Sequence, residues 1–312
     1  MPPPPVPVPP TLPTPPVMPL CSDADAAVDD DPRGSAAAFR TFVLIEHPAG
    51  FGREAADDAV SAVYGRASPT GAATPGLRPF AIRPVGRAGS AGSRVRWVGR
   101  TGPASFLRPT VATPSAVELS DLATAPAVAA GPLFAVCTNG SRDRCCALKG
   151  RDLAAALHDA LDDPGGTPSV VEISHLGGHR YAPTMLVLPW GYAYAWLDPD
   201  RAVAVARAAR DGLVHPDGLR GRADLSPPAQ VAEALWRAEL GPAPVGAIGT
   251  ITVHDDRDGN AGKDGDDDAT FLVSARVDGR DEIVRLTHRP GPVIGATACG
   301  GKPIATGRWT RA

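Results

Sequence analysis

The sequence predicts an α/β fold in which short buried strands alternate with amphipathic helices. Residues 39–45 and 131–136 are short apolar runs, and glycine and proline residues lie close to their ends, as is typical of buried strands. Each run is followed by a segment with helical spacing of its apolar residues, 53–64 and 147–161 respectively. The strand-to-helix order therefore occurs twice, which indicates two related lobes.

Length, charge and cysteine usage limit the class of protein. A chain of 312 residues corresponds to about two domains, and a net charge of -3 gives no reason to expect nucleic acid as a partner. There is no run of eighteen apolar residues and no secretory leader, so we expect a cytoplasmic protein with no membrane partner. Five cysteines, two of them adjacent, favour metal or redox chemistry over a disulfide framework. The scarcity of lysine relative to arginine indicates GC-rich bacterial coding.

Composition and element order divide the chain into four regions. Residues 1–34 are rich in proline and then in aspartate, which predicts a disordered tail, and we interpret Cys21 within it as an incidental thiol. Residues 35–115 are expected to form an N-terminal α/β lobe. Residues 116–215 have the order strand, helix, strand, hairpin, helix, which suits a thioredoxin-like sheet. Residues 216–312 should form a small α+β region, a helix followed by a β-meander.

The C-terminal region contains an acidic stretch, 254–268, that invites a calcium interpretation. Counted from Asp256, the position that needs glycine for a sharp turn holds Ala261, and the position of the bidentate glutamate holds Asp267. A solvated hairpin loop is therefore the favoured interpretation. Cys299, near the C-terminus, is assigned no role.

The first functional signal is a cysteine cluster between a strand and a helix. Cys137 ends the strand at 131–136, and Cys145 and Cys146 precede the next helix, where nearby arginines and the helix N-terminus stabilise negative sulfur. Adjacent side chains point in different directions, so we expect one of the adjacent pair to bind a metal and the other to pack beside it.

The second signal is a histidine cluster, His175-Leu-Gly-Gly-His179. The two glycines disfavour a helix, and no glutamate follows His175, so the pattern differs from that of a helical zinc protease. A tight turn can instead aim both imidazoles at one metal.

Two thiolates and two imidazoles suit either a structural zinc site or a 2Fe-2S cluster with histidine on one iron. Spacing alone leaves both open. A third possibility is a thiol oxidoreductase that uses Cys145 and Cys146, although this pair lacks the two-residue spacer of the usual redox motif.

The combination of motifs resembles the sucrase/ferredoxin-like family of thioredoxin-like ferredoxins. Cys137 and Cys146 have the family's spacing, with Arg142 and Asp143 between them, and the histidine motif continues as Arg-Tyr-Ala-Pro-Thr. Residues 46–54 look like the family's N-terminal Glu-x-Pro element. The resemblance covers roughly residues 36–213.

This resemblance implies a 2Fe-2S cluster bound by two cysteines and two histidines. The matching ligands are Cys137, Cys146, His175 and His179, and Cys146 is preferred to Cys145 because its spacing matches. The residues expected to surround the cluster are Arg142 and Arg180, which would offset its charge, Asp143, which would accept a hydrogen bond, and Cys145.

The ligand set indicates an electron carrier that exchanges electrons with an unidentified redox protein. Replacing two thiolates by neutral imidazoles should raise the reduction potential above that of an all-cysteine ferredoxin. Electron uptake should be coupled to proton uptake, so that the potential falls as pH rises. Sugar hydrolysis, which the family name suggests, is not supported, because no pair of acidic residues stands out as acid and partner carboxylate.

Overall fold

A computed structural model describes residues 20–28, 30–65, 76–87, 92–127, 131–162, 169–255, 269–294 and 298–312. No helix within these ranges combines the length and the apolar character needed to cross a membrane. The helices are α1 (Cys21–Ala27), α2 (Ala55–Tyr64), α3 (Ala116–Ser120), α4 (Arg144–Leu161), α5 (Pro199–Arg210) and α6 (Pro227–Leu240). The strands are β1 (Thr41–Glu46), β2 (Leu77–Pro84), β3 (Arg94–Arg100), β4 (Phe106–Pro109), β5 (Leu133–Cys137), β6 (Val170–Ile173), β7 (Met185–Leu188), β8 (Tyr192–Tyr194), β9 (Leu213–Val214), β10 (Leu219–Arg222), β11 (Ala243–Pro244), β12 (Thr252–Asp255), β13 (Ala269–Val277), β14 (Arg280–Ile294) and β15 (Ile304–Arg311).

Two lobes with the same strand order form one mixed sheet. The first lobe is β1, α2 and β2 to β4, and the second is β5, α4 and β6 to β8. In each lobe the first strand pairs parallel with the second and antiparallel with the third, and the fourth strand pairs with the third. The full order is β10-β8-β7-β5-β6-β2-β1-β3-β4. The α/β class and the relation between the lobes agree with the sequence, while a thioredoxin-like assignment stays a prediction.

The lobes join where β2 and β6 pair antiparallel. The pairing covers only the last residues of each strand, with Arg83 opposite Glu172 at its centre. The carboxyl ends of the parallel strands of both lobes therefore meet at this junction. Arg83 and Glu172 form a buried ion pair there, and Thr138 donates a hydrogen bond of 2.6 Å to the same glutamate oxygen.

Hydrophobic side chains cover both faces of the sheet. One face packs on α4 and α5 in the second lobe and on α2 in the first. The opposite face is shared between the lobes, since Leu44 and Ile82 of the first belong to the same cluster as Ala135, Cys137 and Cys146 of the second. The cysteines thus lie at the edge of a core that both lobes build.

The C-terminal region begins later than the composition predicted. β10 extends the large sheet beyond the expected boundary at residue 215, and α6 then packs on a four-stranded sheet with the order β12-β13-β14-β15. Most of the acidic stretch considered for calcium, 256–268, lies outside the described residues.

The N-terminal region is ordered where it is described. Cys21 begins the helix α1 and is 5 % exposed, and Ser22 and Asp25 are also buried. The predicted disorder of residues 1–34 is therefore wrong for residues 20–28 and 30–34, because Leu20 and Cys21 pack against the core. Residues 1–19 lie outside the described residues.

Candidate metal centre

The cysteine loop connects β5 to α4. Cys137 is the last residue of β5, and Asp143 caps α4 by accepting a hydrogen bond of 2.8 Å from Cys145 N. Cys145 and Cys146 therefore lie in the first turn of the helix, where free N–H groups favour negative sulfur. Helix and strand approach closely at Gly150, since a Cβ there would lie 2.1 Å from the Cys137 carbonyl oxygen.

The histidine loop follows β6, the parallel neighbour of β5, so both loops leave the same edge of the sheet. Gly177 and Gly178 have positive φ values of 78° and 70°, and they turn the chain between His175 and His179. A Cβ at Gly178 would lie 2.5 Å from the Arg220 guanidinium. Both the backbone conformation and the close approach therefore require glycine at this turn.

The structure brings the four predicted ligands together, and we call them the thiol–imidazole group: Cys137, Cys146, His175 and His179. Cys146 Sγ lies 3.9 Å from His179 Nδ1, and the two imidazole centroids are 4.8 Å apart. The Cys146 thiol and the His175 ring both interact with the Cys137 sulfur and lower its pKa. Side chains of both loops are thus in contact, and their role as ligands stays a prediction.

Protonation of two members of this group, Cys137 and His179, matches what metal ligands need, whereas the hydrogen bond to Cys137 raises the pKa of Cys146. The hydrogen bond from the Cys146 thiol holds the pKa of Cys137 well below its ordinary value, although burial opposes the shift. Burial and the charge of His175 both lower the pKa of His179, which favours the neutral ring at pH 7. A thiolate and a neutral imidazole are the forms that bind metals.

Exposure divides the group into two sides. The Cys137 and Cys146 side chains are each 1 % exposed, whereas His175 and His179 are half-buried. A cleft of about 210 Å³ between the lobes reaches His175. The sulfur side is therefore closed, and the imidazole side is accessible.

The His175 ring shows whether the thiol–imidazole group suits a metal. Its Nδ1 atom is buried and has no hydrogen-bond partner among the described residues. An unpaired buried polar atom costs about 1–3 kcal/mol, and coordination would satisfy this nitrogen. Two sulfur and two nitrogen donors suit zinc or a 2Fe-2S cluster, so the residues present fit a metal centre.

Two arginines expected to offset cluster charge have partners outside the group. Arg142 forms an ion pair with Glu54 and also donates to the Arg53 carbonyl. Arg180 pairs with Asp30 at 3.2 Å. The predicted effect of Arg142 and Arg180 on a cluster stays a prediction.

Arg220, on β10, is a buried cation beside the histidine loop that the sequence did not reveal. Its guanidinium donates to the carbonyls of Gly177 at 3.1 Å and Ser35 at 2.6 Å. Burial lowers the pKa of Arg220 to about 10, and the interactions with Cys137 and Cys146 act in the opposite direction. Arg220 is thus charged at neutral pH and offers charge compensation to the Cys137 thiolate. An arginine in a short strand carries no sequence signal for this role.

The first lobe supports the cysteine loop through residues 46–54. Ser141 Oγ donates to the Phe51 carbonyl at 2.8 Å, and Asn139 Nδ2 donates to the Gly52 carbonyl at 3.0 Å. The element that the resemblance singled out in the first lobe therefore holds the loop after Cys137 in position.

A second cluster, the three-thiol group, consists of Cys21, Cys145 and Cys299 with Asp143. The sulfur of Cys145 lies 3.3 Å from that of Cys21 and 3.2 Å from that of Cys299. The ligand atoms of all four residues lie within 4.8 Å of one another, so the group could hold a metal ion. Among the described residues, this is the group of metal-ligating side chains found within the 4.8 Å limit, and it contains no histidine.

Asp143 organises the three-thiol group. Its Oδ2 accepts a hydrogen bond of 2.7 Å from Cys299 N, and Oδ1 accepts the bond from Cys145 N. Burial tends to raise the pKa of Asp143, but these two N–H groups outweigh it and lower the pKa. The hydrogen bond from the Cys21 thiol lowers the pKa of Cys145 to about 6. Asp143, which was expected to accept a hydrogen bond, thus accepts one from each of two backbone N–H groups.

Sequence reasoning missed the three-thiol group. Cys21 was interpreted as incidental and Cys299 received no role, yet they stand 124 and 154 residues from Cys145. No ligand-spacing motif covers such separations. The only available signal was Cys145, which the structure turns away from the histidines while Cys146 faces them.

Comparison with known families gives a match that covers the end of the first lobe and the whole second lobe. Residues 101–221 match the family model described as sucrase/ferredoxin-like. This segment runs from the end of β3 through both loops to β10 and contains Arg220. No curated protein and no solved structure matched the chain.

Proposed function

Because residues 101–221 match the sucrase/ferredoxin-like family model, we propose that the protein transfers electrons through a 2Fe-2S cluster held by Cys137, Cys146, His175 and His179. The observation that carries the proposal is the 3.9 Å contact between Cys146 Sγ and His179 Nδ1. It joins a thiol of one loop to an imidazole of the other.

The resemblance to the sucrase/ferredoxin-like family, and not the spacing of the donors, favours a two-iron centre over a single ion. A tetrahedral zinc with bonds of ~2.3 Å to sulfur places its ligand atoms within about 3.8 Å of one another. The thiol–imidazole group is not among the described clusters whose ligand atoms all lie within 4.8 Å. The 3.9 Å between Cys146 Sγ and His179 Nδ1 is close to the single-ion value, so metal analysis has to distinguish the cluster from a zinc-stabilised module built from the same ligands.

The surroundings of the group suit electron transfer. A bound 2Fe-2S cluster would supply reversible one-electron chemistry. The buried thiols exclude water from the sulfur side, and the half-buried imidazoles give a partner protein its approach. The same exposure gives protons access to the ring nitrogens, as coupling of electron and proton uptake requires.

The thiol-oxidoreductase alternative gains no support from the adjacent cysteines. Cys146 contacts His179, whereas Cys145 contacts Cys21 and Cys299. The two sulfurs face different groups, and no observation favours a reaction between them.

The test is metal and spectroscopic analysis of the full chain purified without oxygen. We expect two irons per chain, visible absorption, and an EPR signal after reduction that shows nitrogen coupling from histidine. Cys146→Ser should abolish the iron signal, whereas its neighbour variant Cys145→Ser should retain it. His179→Ala should lose or shift the signal, with His158→Ala as a matched control on α4. A colourless protein with one zinc that Cys146→Ser releases would overturn the proposal.

A further inference from the structure

The three-thiol group draws its sulfurs from three distant parts of the chain. Cys21 begins α1, Cys145 lies in the first turn of α4, and Cys299 lies in the segment before β15. The third sulfur–sulfur distance, Cys21 to Cys299, is 3.7 Å. With the other two distances, 3.3 and 3.2 Å, the sulfurs form a nearly equilateral triangle.

A triangle of this size fits one metal ion better than any pairing of thiols. Bonds of ~2.3 Å directed to the corners of a tetrahedron place sulfurs about 3.8 Å apart. A disulfide would join two sulfurs at ~2.0 Å and leave the third without a partner. Thiols are also weak donors and acceptors, so hydrogen bonds among them explain the clustering poorly.

Asp143 offers the fourth ligand. Each of its oxygens lies 3.9 Å from Cys21 Sγ and accepts one backbone N–H. A carboxylate has about four lone-pair sites, which leaves acceptor capacity for a cation. Cys21, Cys145 and Asp143 are 5 %, 0 % and 4 % exposed, so the site is closed on three sides by protein.

We infer that Cys21, Cys145, Cys299 and Asp143 bind one Zn²⁺ ion in a structural site separate from the thiol–imidazole group. Thiolates select zinc over magnesium or calcium, and four protein ligands in a buried place leave no open position for a substrate. The two sites share no ligand. This inference therefore goes beyond the proposed electron transfer and does not depend on it.

The ion would fasten the N-terminal helix and the C-terminal segment to α4. α1 has seven residues, which is too short for a stable isolated helix. Its ion pair between Asp23 and Lys149 is largely exposed, and such pairs contribute about 0–1 kcal/mol. Metal coordination supplies the stronger attachment, directly beside Cys146.

The experiment measures zinc and iron together in the full chain, purified without oxygen from cells supplied with both metals. We expect one zinc per chain in addition to the iron. Cys299→Ser, which changes a partly exposed residue, should release the zinc and keep the iron. Cys146→Ser should release the iron and keep the zinc. X-ray absorption at the zinc edge should show a sulfur shell at ~2.3 Å with about three sulfurs and one lighter ligand.

Each result has a distinct meaning. Zinc retained in both Cys299→Ser and Cys21→Ser, or iron-loaded protein without zinc, would overturn the inference. Zinc released by Cys146→Ser but not by Cys299→Ser would place the ion in the thiol–imidazole group and overturn it as well. Zinc released by Cys299→Ser from a protein that holds no iron would support the inference while the electron-transfer proposal fails.

Discussion

The two lobes of the large sheet share a topology and differ in chemistry. Their first strands end at the same level of the sheet. Glu46 stands opposite Ile82, Ile82 pairs with Ile173, and Ile173 stands opposite Cys137. The first lobe has a carboxylate at this position and the second has a thiol. The shared topology thus places the last residue of β1 and the last residue of β5 at corresponding points of the sheet, and the side chain at each point determines its chemistry.

In the first lobe the position is structural. Glu46 is 5 % exposed and pairs with Arg94 at 3.2 Å and Arg96 at 3.5 Å on β3. α2 starts after Glu54, whose side chain makes no capping bond, whereas Asp143 caps α4. A capped helix start and a strand-end thiol therefore distinguish the lobe that carries the candidate metal centre.

We expect the two lobes to unfold together, and a substitution in the ion pair at their junction tests this. Arg83→Met would leave the Glu172 carboxylate buried without its cation, and such losses cost about 3–5 kcal/mol. We expect one urea unfolding transition for the wild type and for the variant, shifted to lower urea in the variant. Arg94→Met is the control, because the Arg94 side chain is 53 % exposed and the buried Glu46 carboxylate keeps Arg96 as a partner, so its shift should be smaller. Two separate transitions in the wild type would show that the lobes unfold independently.

The close contact of α4 with β5 should matter for metal binding as well as stability. Gly150→Ala would push a methyl group against the Cys137 carbonyl, and overpacking of this kind costs about 1–3 kcal/mol. The shift of α4 relative to Cys137 should also lower iron content. The control is Ala155→Gly on the exposed face of α4, which should cost about 1 kcal/mol and leave iron unchanged. Equal iron content in both variants would argue against a site that depends on this contact.

The end of α4 allows a prediction about pH. Burial would raise the pKa of Asp162, but hydrogen bonds from Ser169, His158 and Val170 N outweigh it and lower the pKa. The stabilisation is therefore present above the unfolded-state pKa of about 4 and is lost as pH falls through the lower folded-state value. Asp162→Asn should reduce the free energy of unfolding by about 1–2 kcal/mol at pH 7.

Urea denaturation at a series of pH values checks this sign. The difference between wild type and Asp162→Asn should shrink below about pH 4. A difference that grows with acidity would mean that the carboxylate is not stabilised in its charged form.

Local features of the chain were predictable because they depend on neighbours in sequence. The apolar run of β5, the periodic leucines of α4 and the glycine turn between His175 and His179 each leave a pattern in the sequence. The nine-residue separation of Cys137 and Cys146 matches the resembled family and favoured Cys146, the thiol that lies 3.9 Å from His179. These patterns are readable in the sequence because backbone conformation and the burial of one face restrict which residue types can occupy neighbouring positions.

The sequence by itself thus determined the strand and helix order, the two loops and the resemblance to the family whose model matches residues 101–221. The tertiary structure alone decided that Arg220 lies beside the histidine turn, that the lobes join through Arg83 and Glu172, and that Cys21 and Cys299 meet Cys145. Such long-range contacts depend on how whole helices and strands pack against one another. Residues more than a hundred positions apart share no period or spacing, so the sequence carries no local record that they meet.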